Sequence, residues 1–300
     1  MSKVMIIINP SSGKEKAGEI LPNAKEVLGK IYEHVIVRKT EGEGDASKFA
    51  KEACEGKFDA VISMGGDGTV NETVNGLAEQ EHRPKFGIIP LGTVNDFARA
   101  LHIPLDPVEA IEMLQNSDVK EADIGKVNDQ YFMNVLAVGA IAEATYDVSV
   151  EQKTRLGSLS YFIEGAKTLV KKTPFPITVE HDKGRWIGEA YLLVATMTNS
   201  VGGFEQLAPE AEVNDGKLHT FIIKSLSFPL ILKIIPSLIK GEIKDHEEIE
   251  YIQTSKLYVS TSEDLLVNMD GERGNELPFQ AEVLHNHLSL FVPSVMIERK

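Results

Sequence analysis

The stretch FDAVISMGGDGTVNETVNGLA, residues 58–78, decides the fold. Phe58 to Met64 is an apolar, β-branched run that reads as a strand, and residues 69–78 read as a helix. Between them lies a glycine turn, GGDGT, made of Gly65, Gly66, Asp67, Gly68 and Thr69. Such turns normally present bare backbone N–H groups to an anion, and a carboxylate there repels it. Asp67 is therefore useful only if a Mg2+ ion bridges it to phosphate, or if hydrogen bonds to the loop hold it away as an orienting group.

The strand–helix alternation continues on both sides. KVMIIIN (3–9), HVIVRK (34–39) and KFGIIP (85–90) read as strands, and residues 45–54, 95–101 and 107–114 as helices; residues 14–30 are compatible with a helix, with Pro22 as a candidate break. Short apolar strands alternating with helices predict a parallel sheet covered on both faces. After about Ile124 the texture changes. YFMNVLAVG, FPITVEH, EAYLLVATMTN, LHTFIIKS, SKLYVSTS and LSLFVP read as strands, with HDKG, NDG and DGERG as turns, which predicts a mainly antiparallel sheet or sandwich. The expected architecture is an α/β domain over residues 1–125 and a β-sandwich over residues 126–290, with the tail 291–300 returning to the first domain. No internal repeat is visible.

Composition narrows the function. A formal net charge of −14 argues against a general nucleic-acid binder, and 42% hydrophobic residues argue against disorder. One segment is locally basic, with Lys153, Arg155, Lys167, Lys171 and Lys172 against Glu151 and Glu164, and reads as a solvated helix face or a docking patch. The single cysteine, Cys54, forms no internal disulfide and fits a reducing cytoplasm. The N-terminal apolar run is too short for a secretory leader. No window reaches the roughly 18 apolar residues of a membrane span. FPLILKIIPSLI (228–239), interrupted by Pro229, Lys233 and Pro236, reads as a core helix or an interfacial segment.

In an open α/β sheet, ligands bind outside the carboxyl ends of the strands. Three loops share that edge: NPSSG, which is Asn9, Pro10, Ser11, Ser12 and Gly13; GGDGT; and PLGTVND, residues 90–96, which contains Thr93 and Asp96. They supply hydroxyls, glycine N–H groups and helix N-termini, all suited to a polyphosphate. A P-loop needs a lysine that GGDGTVN lacks, and the dinucleotide fingerprint meets Asn71 where its third glycine belongs. By itself the glycine turn also fits a simple tight loop. Asp96 reads as a second acid of the site or a first-turn helix acid, Thr69 and Thr93 as caps or phosphate donors, and Asn71 and Glu72 as early-helix polar residues. Two acids beside three phosphate-friendly loops point to phosphoryl transfer from a metal–nucleotide complex.

NPSSG, GGDGTVNETVNGL and PLGTVNDFARAL, in this order, resemble the catalytic domain of the diacylglycerol kinase and sphingosine kinase family, most nearly its soluble bacterial lipid kinases; NMDGE (268–272) extends the resemblance across almost the whole chain. It implies a nucleotide-binding α/β domain and a β-sandwich with the active site between them. ATP is then expected on Asn9 to Gly13, on Thr40, on Gly66 to Glu72 and at Thr93, with Asp67 and Asp96 organising Mg2+ and the acceptor hydroxyl. The resemblance also implies a general base in the last motif, Glu272 by preference and Asp270 as the alternative; the local sequence equally fits a hairpin turn. A second, structural Mg2+ is implied at NDG, held by Asp215 and the carbonyls of Glu212 and Lys217, where the sequence alone gives a plain turn.

The expected substrate is a membrane lipid, diacylglycerol first and phosphatidylglycerol or a sphingoid base next, reached by transient peripheral contact through residues 228–239 with Lys224, Lys233, Lys240 and Lys244, or through the basic run at 167–172. Rival readings are a soluble-metabolite kinase of the NAD kinase or phosphofructokinase type, and a non-catalytic nucleotide-binding protein. The exposed edges of a β-rich domain make a homodimer reasonable.

Overall fold

The computed structural model describes residues 1–13, 16–139, 173–203, 205–274 and 276–294. The basic run at 151–172 and residues 295–300 of the tail lie outside the described residues. Two compact units emerge: Met1–Ala122 together with Asn286–Lys300, and Asp123–His285.

The first unit runs β1 (Lys3–Ile8), α1 (Ala17–Leu28), β2 (His34–Lys39), α2 (Asp45–Glu55), β3 (Ala60–Gly65), α3 (Asp67–Leu77), β4 (Lys85–Pro90), α4 (Asp96–Ala100) and α5 (Pro107–Met113). Its strands are parallel in the order β2-β1-β3-β4, and the end of the C-terminal strand Phe279–Pro293 adds beside β4, with Leu290 opposite Phe86. Val4, Ile6 and Ile8 pack with Ile62, Met64, Ala24 and Leu28 in one cluster, while Met5 and Ile7 between them are also buried. Burial on both faces is why these strands are apolar without alternation. Pro22 lies inside α1 without ending it. The helix after the glycine turn starts at Asp67, two residues before the expected Thr69.

The second unit contains the end of β5 (Ser117–Val127), then β6 (Gln130–Phe132), β7 (Val135–Gly139), β8 (Phe175–His181), β9 (Gly184–Ala190), β10 (Leu192–Thr196), β11 (Leu218–Ile223), α6 (Phe228–Lys240), β12 (Ile249–Thr254), β13 (Lys256–Thr261), β14 (Val267–Met269), β15 (Glu272–Arg273) and the first part of β16 (Phe279–Pro293). Strands β9-β8-β13-β16 form one antiparallel array, and β12-β11-β10-β7-β14-β15 another. Ile177, Val179, Leu257 and Phe279 from the first meet Leu136, Val138, Leu193 and Val267 from the second in one buried cluster. The combination of a parallel α/β sheet and an antiparallel β domain is the expected fold class.

Several expected strands differ in detail. YFMNVLAVG divides into β6 and β7, because the backbone N–H groups of Met133, Asn134 and Val135 at the break donate to Asp270. LSLFVP is only the end of the 15-residue β16. Residues 228–239 lie in α6, started by the Ser227 side chain and stopped by Gly241 in the left-handed region. Leu230 and Leu238 are buried, and Ile234 packs against the cluster of Leu207, Phe221 and Ile249, whereas Lys233 and Lys240 are exposed. At these positions the helix contributes to a core. No helix among the described residues is long and apolar enough to cross a membrane.

Candidate active site

Each loop of the first unit follows the carboxyl end of a strand, and backbone bonds lace the loops together. Asn9 N donates to the Met64 carbonyl (3.0 Å), Thr40 N to the Ile8 carbonyl (2.9 Å) and Leu91 N to the Gly65 carbonyl (2.8 Å). The Asn9 side chain accepts from Ser11 N (3.0 Å) and donates to Thr69 Oγ1 (3.3 Å), joining the first loop to the second. The second and third loops meet backbone to backbone. A Cβ on Gly92 would lie 2.8 Å from the Gly66 Cα, so no side chain fits between them.

Asp67 takes the orienting role. Its Oδ2 accepts from Asn95 N (2.9 Å) and its Oδ1 from Asp96 N (3.0 Å), so an acid in the second loop holds the entry to α4. Burial pushes the Asp67 carboxyl above its ordinary pKa and the nearby Asp96 charge adds to this, while the two amides oppose both. Asn95, which the sequence did not single out, completes the lock. It is buried with φ of 55°, its Oδ1 accepts from Gly92 N (2.9 Å), and its Nδ2 donates to the Gly92 carbonyl (3.0 Å). Left-handed backbone is tolerable to asparagine, and PLGTVND carries that signal.

The remaining expected nucleotide contacts separate into committed and uncommitted groups. Glu72 Oε2 accepts from Ala46 N (3.1 Å) at the start of α2, and Asn71 accepts from Asn75, so these two serve helices. Thr69 is buried. Thr93 and Ser11 are exposed, Ser12 is half-buried, and none of the three hydroxyls is hydrogen-bonded among the described residues. They lie on loops tied by the backbone bonds above, with hydroxyls available to an anion.

In the second unit, Asp270 and Gly271 form the two-residue loop of the β14–β15 hairpin, with φ of 52° and 94°. A DG pair is what such a turn requires. The Asp270 carboxylate accepts from Met133 N (2.7 Å), Asn134 N (2.9 Å) and Val135 N (2.9 Å), and Asn268 Oδ1 accepts from Gly271 N (3.0 Å). Asp270 is thus an anchor. Glu272, on β15, is exposed and its carboxylate has no hydrogen bond or ion pair among the described residues.

The third group surrounds residues 212–217. Asp215 Oδ1 accepts from Lys217 N (2.9 Å), and the Glu212 carbonyl accepts from Asp215 N (3.2 Å). Buried His219 approaches Asp215 Oδ2 through Nε2 (2.8 Å) and Tyr251 Oη through Nδ1 (2.6 Å), while Gln253 donates to Tyr251 Oη (2.9 Å). A carboxylate oxygen can only accept, so His219 Nε2–H donates to Asp215 Oδ2 and holds that carboxylate in place. Asp123, also absent from the sequence reading, is buried and accepts from Gly216 N (2.6 Å) and from His285 Nδ1 (2.9 Å). Asp215 with the carbonyls of Glu212 and Lys217 is a hard-oxygen set of the kind Mg2+ takes, so the turn fits that ion chemically. Among the described residues no three His, Cys, Asp or Glu side chains cluster as a metal site, so carbonyls must supply part of any coordination.

Known proteins resemble this chain over its whole length. Residues 3–127 match the diacylglycerol kinase catalytic domain, and residues 134–292 match the YegS C-terminal NAD kinase beta sandwich-like domain. The chain is an alcohol-acceptor phosphotransferase. It is 38% identical to a diacylglycerol kinase of Bacillus subtilis (strain 168), over 100% of this chain and 99% of the relative, and 38% identical to a diacylglycerol kinase of Staphylococcus epidermidis, over 97% and 92%. A crystal structure of a diacylglycerol kinase from Bacillus anthracis str. Sterne superposes with a TM-score of 0.81 at 29% identity, covering 97% of each chain. The chain belongs to the diacylglycerol kinase family.

Proposed function

We propose that this chain is an ATP-dependent lipid kinase that transfers the γ-phosphate to the hydroxyl of diacylglycerol, giving phosphatidic acid and ADP. The observation that carries the reading is the contrast between anchored Asp270 and unengaged Glu272 two residues away. Asp270 is spent on three backbone amides, which leaves Glu272 to take the proton from the acceptor hydroxyl as its oxygen attacks the γ-phosphorus. Ser11, Ser12 and Thr93, with the backbone around Gly66 and Gly92, bind the ATP phosphates, and Asp67 and Asn95 keep those loops in register. Bound Mg2+ supplies neutralisation of phosphate charge; Asp96 beside Asp67 would hold it in the first unit, and Asp215 with the Glu212 and Lys217 carbonyls in the second. The names of the Bacillus and Staphylococcus relatives support a lipid acceptor over NAD or a sugar phosphate.

Its workplace in this reading is the cytoplasmic side of a bilayer. Lys224 pairs with Glu250 and Lys244 with Glu210, so Lys233 and Lys240 on α6 carry the attraction to anionic lipid, about 1 kcal/mol each. Flotation with anionic vesicles is expected to weaken for Lys233→Glu/Lys240→Glu; equal flotation removes α6 from the docking surface. The function itself is tested by offering γ-labelled ATP and Mg2+ with diacylglycerol or phosphatidylglycerol in mixed micelles, or with NAD or fructose 6-phosphate. Label in chloroform-extractable phosphatidic acid is expected. Label confined to NAD or the sugar phosphate overturns the lipid reading.

A further inference from the structure

Strand β11 opens directly after the turn at residues 212–217 and has two faces. Leu218 and Ile222 belong to the main core of the second unit, whereas Phe221 belongs to the separate cluster of Leu207, Leu238 and Ile249. His219 shares the parity of Phe221 and is fully buried. Packing alone would take an apolar side chain there, because a buried imidazole costs free energy unless its nitrogens are bonded. Both nitrogens of His219 are engaged: Nε2 donates to Asp215 Oδ2 (2.8 Å), and Nδ1 meets Tyr251 Oη (2.6 Å).

The far end of this chain of bonds is held by packing. β11 pairs antiparallel with β12, His219 opposite Gln253 and Phe221 opposite Tyr251, so the Tyr251 hydroxyl reaches the imidazole diagonally across the pair. The Tyr251 ring lies 4.9 Å from that of Phe221, centroid to centroid, with Lys244 Nζ 5.8 Å from its own centroid, and Gln253 Nε2 donates to its hydroxyl (2.9 Å). Asp215 is therefore held by two kinds of bond. Its Oδ1 takes the short-range bond from Lys217 N (2.9 Å) that an aspartate makes in a turn, and its Oδ2 takes one from a side chain fixed by the neighbouring strand.

We propose that His219 is a positioning residue for a cation site at this turn, and that Tyr251 fixes His219 in its turn. The role rests on the reading above that Asp215 and the carbonyls of Glu212 and Lys217 hold Mg2+. Carboxylates that ligate metals are themselves oriented by an outer layer of hydrogen-bonding side chains, and losing one such partner typically weakens metal binding about 10- to 100-fold. Asp215 Oδ1, which accepts only from Lys217 N among the described residues, keeps a lone pair for the ion, while the bond from His219 to Oδ2 sets the orientation of the carboxylate.

Calorimetric titration of the metal-stripped chain with Mg2+ alone, without nucleotide, tests this, and thermal unfolding by circular dichroism checks that each variant is folded. His219→Phe keeps the bulk of the ring and removes both nitrogens, and is expected to weaken Mg2+ binding about 10- to 100-fold. His219→Gln, which can return an N–H to Asp215, should recover most of that loss, and Tyr251→Phe should lose less than His219→Phe because the imidazole remains. Asp215→Asn separates the two claims, since binding that it removes belongs to this turn. A wild type that binds no Mg2+, or an Asp215→Asn protein that binds it as the wild type does, overturns the metal reading and the positioning role with it. Loss of binding in Asp215→Asn beside an unchanged affinity in folded His219→Phe, whatever its Tm, overturns the positioning role alone.

Discussion

Asp67 in the first unit and Asp270 in the second are two aspartates beside glycine that do the same physical work on different scaffolds. Asp67 opens a helix after a parallel strand and ties down the backbone N–H groups of Asn95 and Asp96; Asp270 sits in a hairpin turn and ties down those of Met133, Asn134 and Val135. Both are carboxylates used as fixed acceptors for a segment distant in sequence. The difference lies in what each leaves free. Among the described residues, the groups without a hydrogen bond on the first unit's loops are neutral hydroxyls, Ser11, Ser12 and Thr93, suited to anionic phosphate, whereas next to Asp270 in sequence it is the acid Glu272, suited to taking a proton.

The largest effect should come from Asp270→Ala. It strands three amides that now bond to a charge, and a loss of about 3 kcal/mol in unfolding free energy is expected, read by urea denaturation. Asp67→Ala strands two and should cost about 2 kcal/mol, together with a raised KM for ATP because the second and third loops lose their tie. If Asp67→Ala proves as costly as Asp270→Ala, the simple count of amides fails. Asn95→Ala comes next, at about 1 kcal/mol from the lost clamp on Gly92, with added strain from its left-handed backbone.

The smallest effects are those of pH, and they should have opposite signs in two carboxylates. Asp182, in the β8–β9 turn, accepts from Ser255 N (2.8 Å) and Ser255 Oγ (2.9 Å), chiefly the backbone bond holding its carboxyl below the ordinary value. Its contribution is present above the unfolded carboxylate pKa, about 3.9, and is lost as pH falls through the lower folded value. Asp67 is raised, so its contribution is complete below about 3.9 and declines as pH rises through the folded value. Denaturation from acidic to neutral pH should therefore show the wild type gaining on Asp182→Asn and losing ground to Asp67→Asn as pH rises. Parallel curves contradict the pair.

The first unit was legible because its strands are buried on both faces and its loops carry glycine, so composition and position coincide. Asp67 was legible as an anomaly, and its two possible uses were nameable, but the choice depended on which amides lie within 3 Å, which no local pattern encodes. Asn95 and Asp123 were missed for the same reason, since their partners are in other segments or in backbone turns. Strand β5 escaped because SDVKE, its first half, is exposed and charged. Only the apolar end of β16 was seen, because residues 284–287 of that strand are polar or half-buried. Strand β12, IEYIQT, was passed over because its apolar residues are too few to separate it from a loop.

The central claim is that the anchored acids shape the site and the unengaged acid reacts. It is tested most directly by steady-state phosphoryl transfer from ATP to diacylglycerol by Glu272→Gln, alongside its thermal unfolding. The kcat is expected to fall about 10²- to 10⁴-fold with KM for ATP and Tm unchanged, since Glu272 is exposed and its carboxylate makes no hydrogen bond or ion pair among the described residues. Turnover near that of the wild type in a folded Glu272→Gln protein would contradict it.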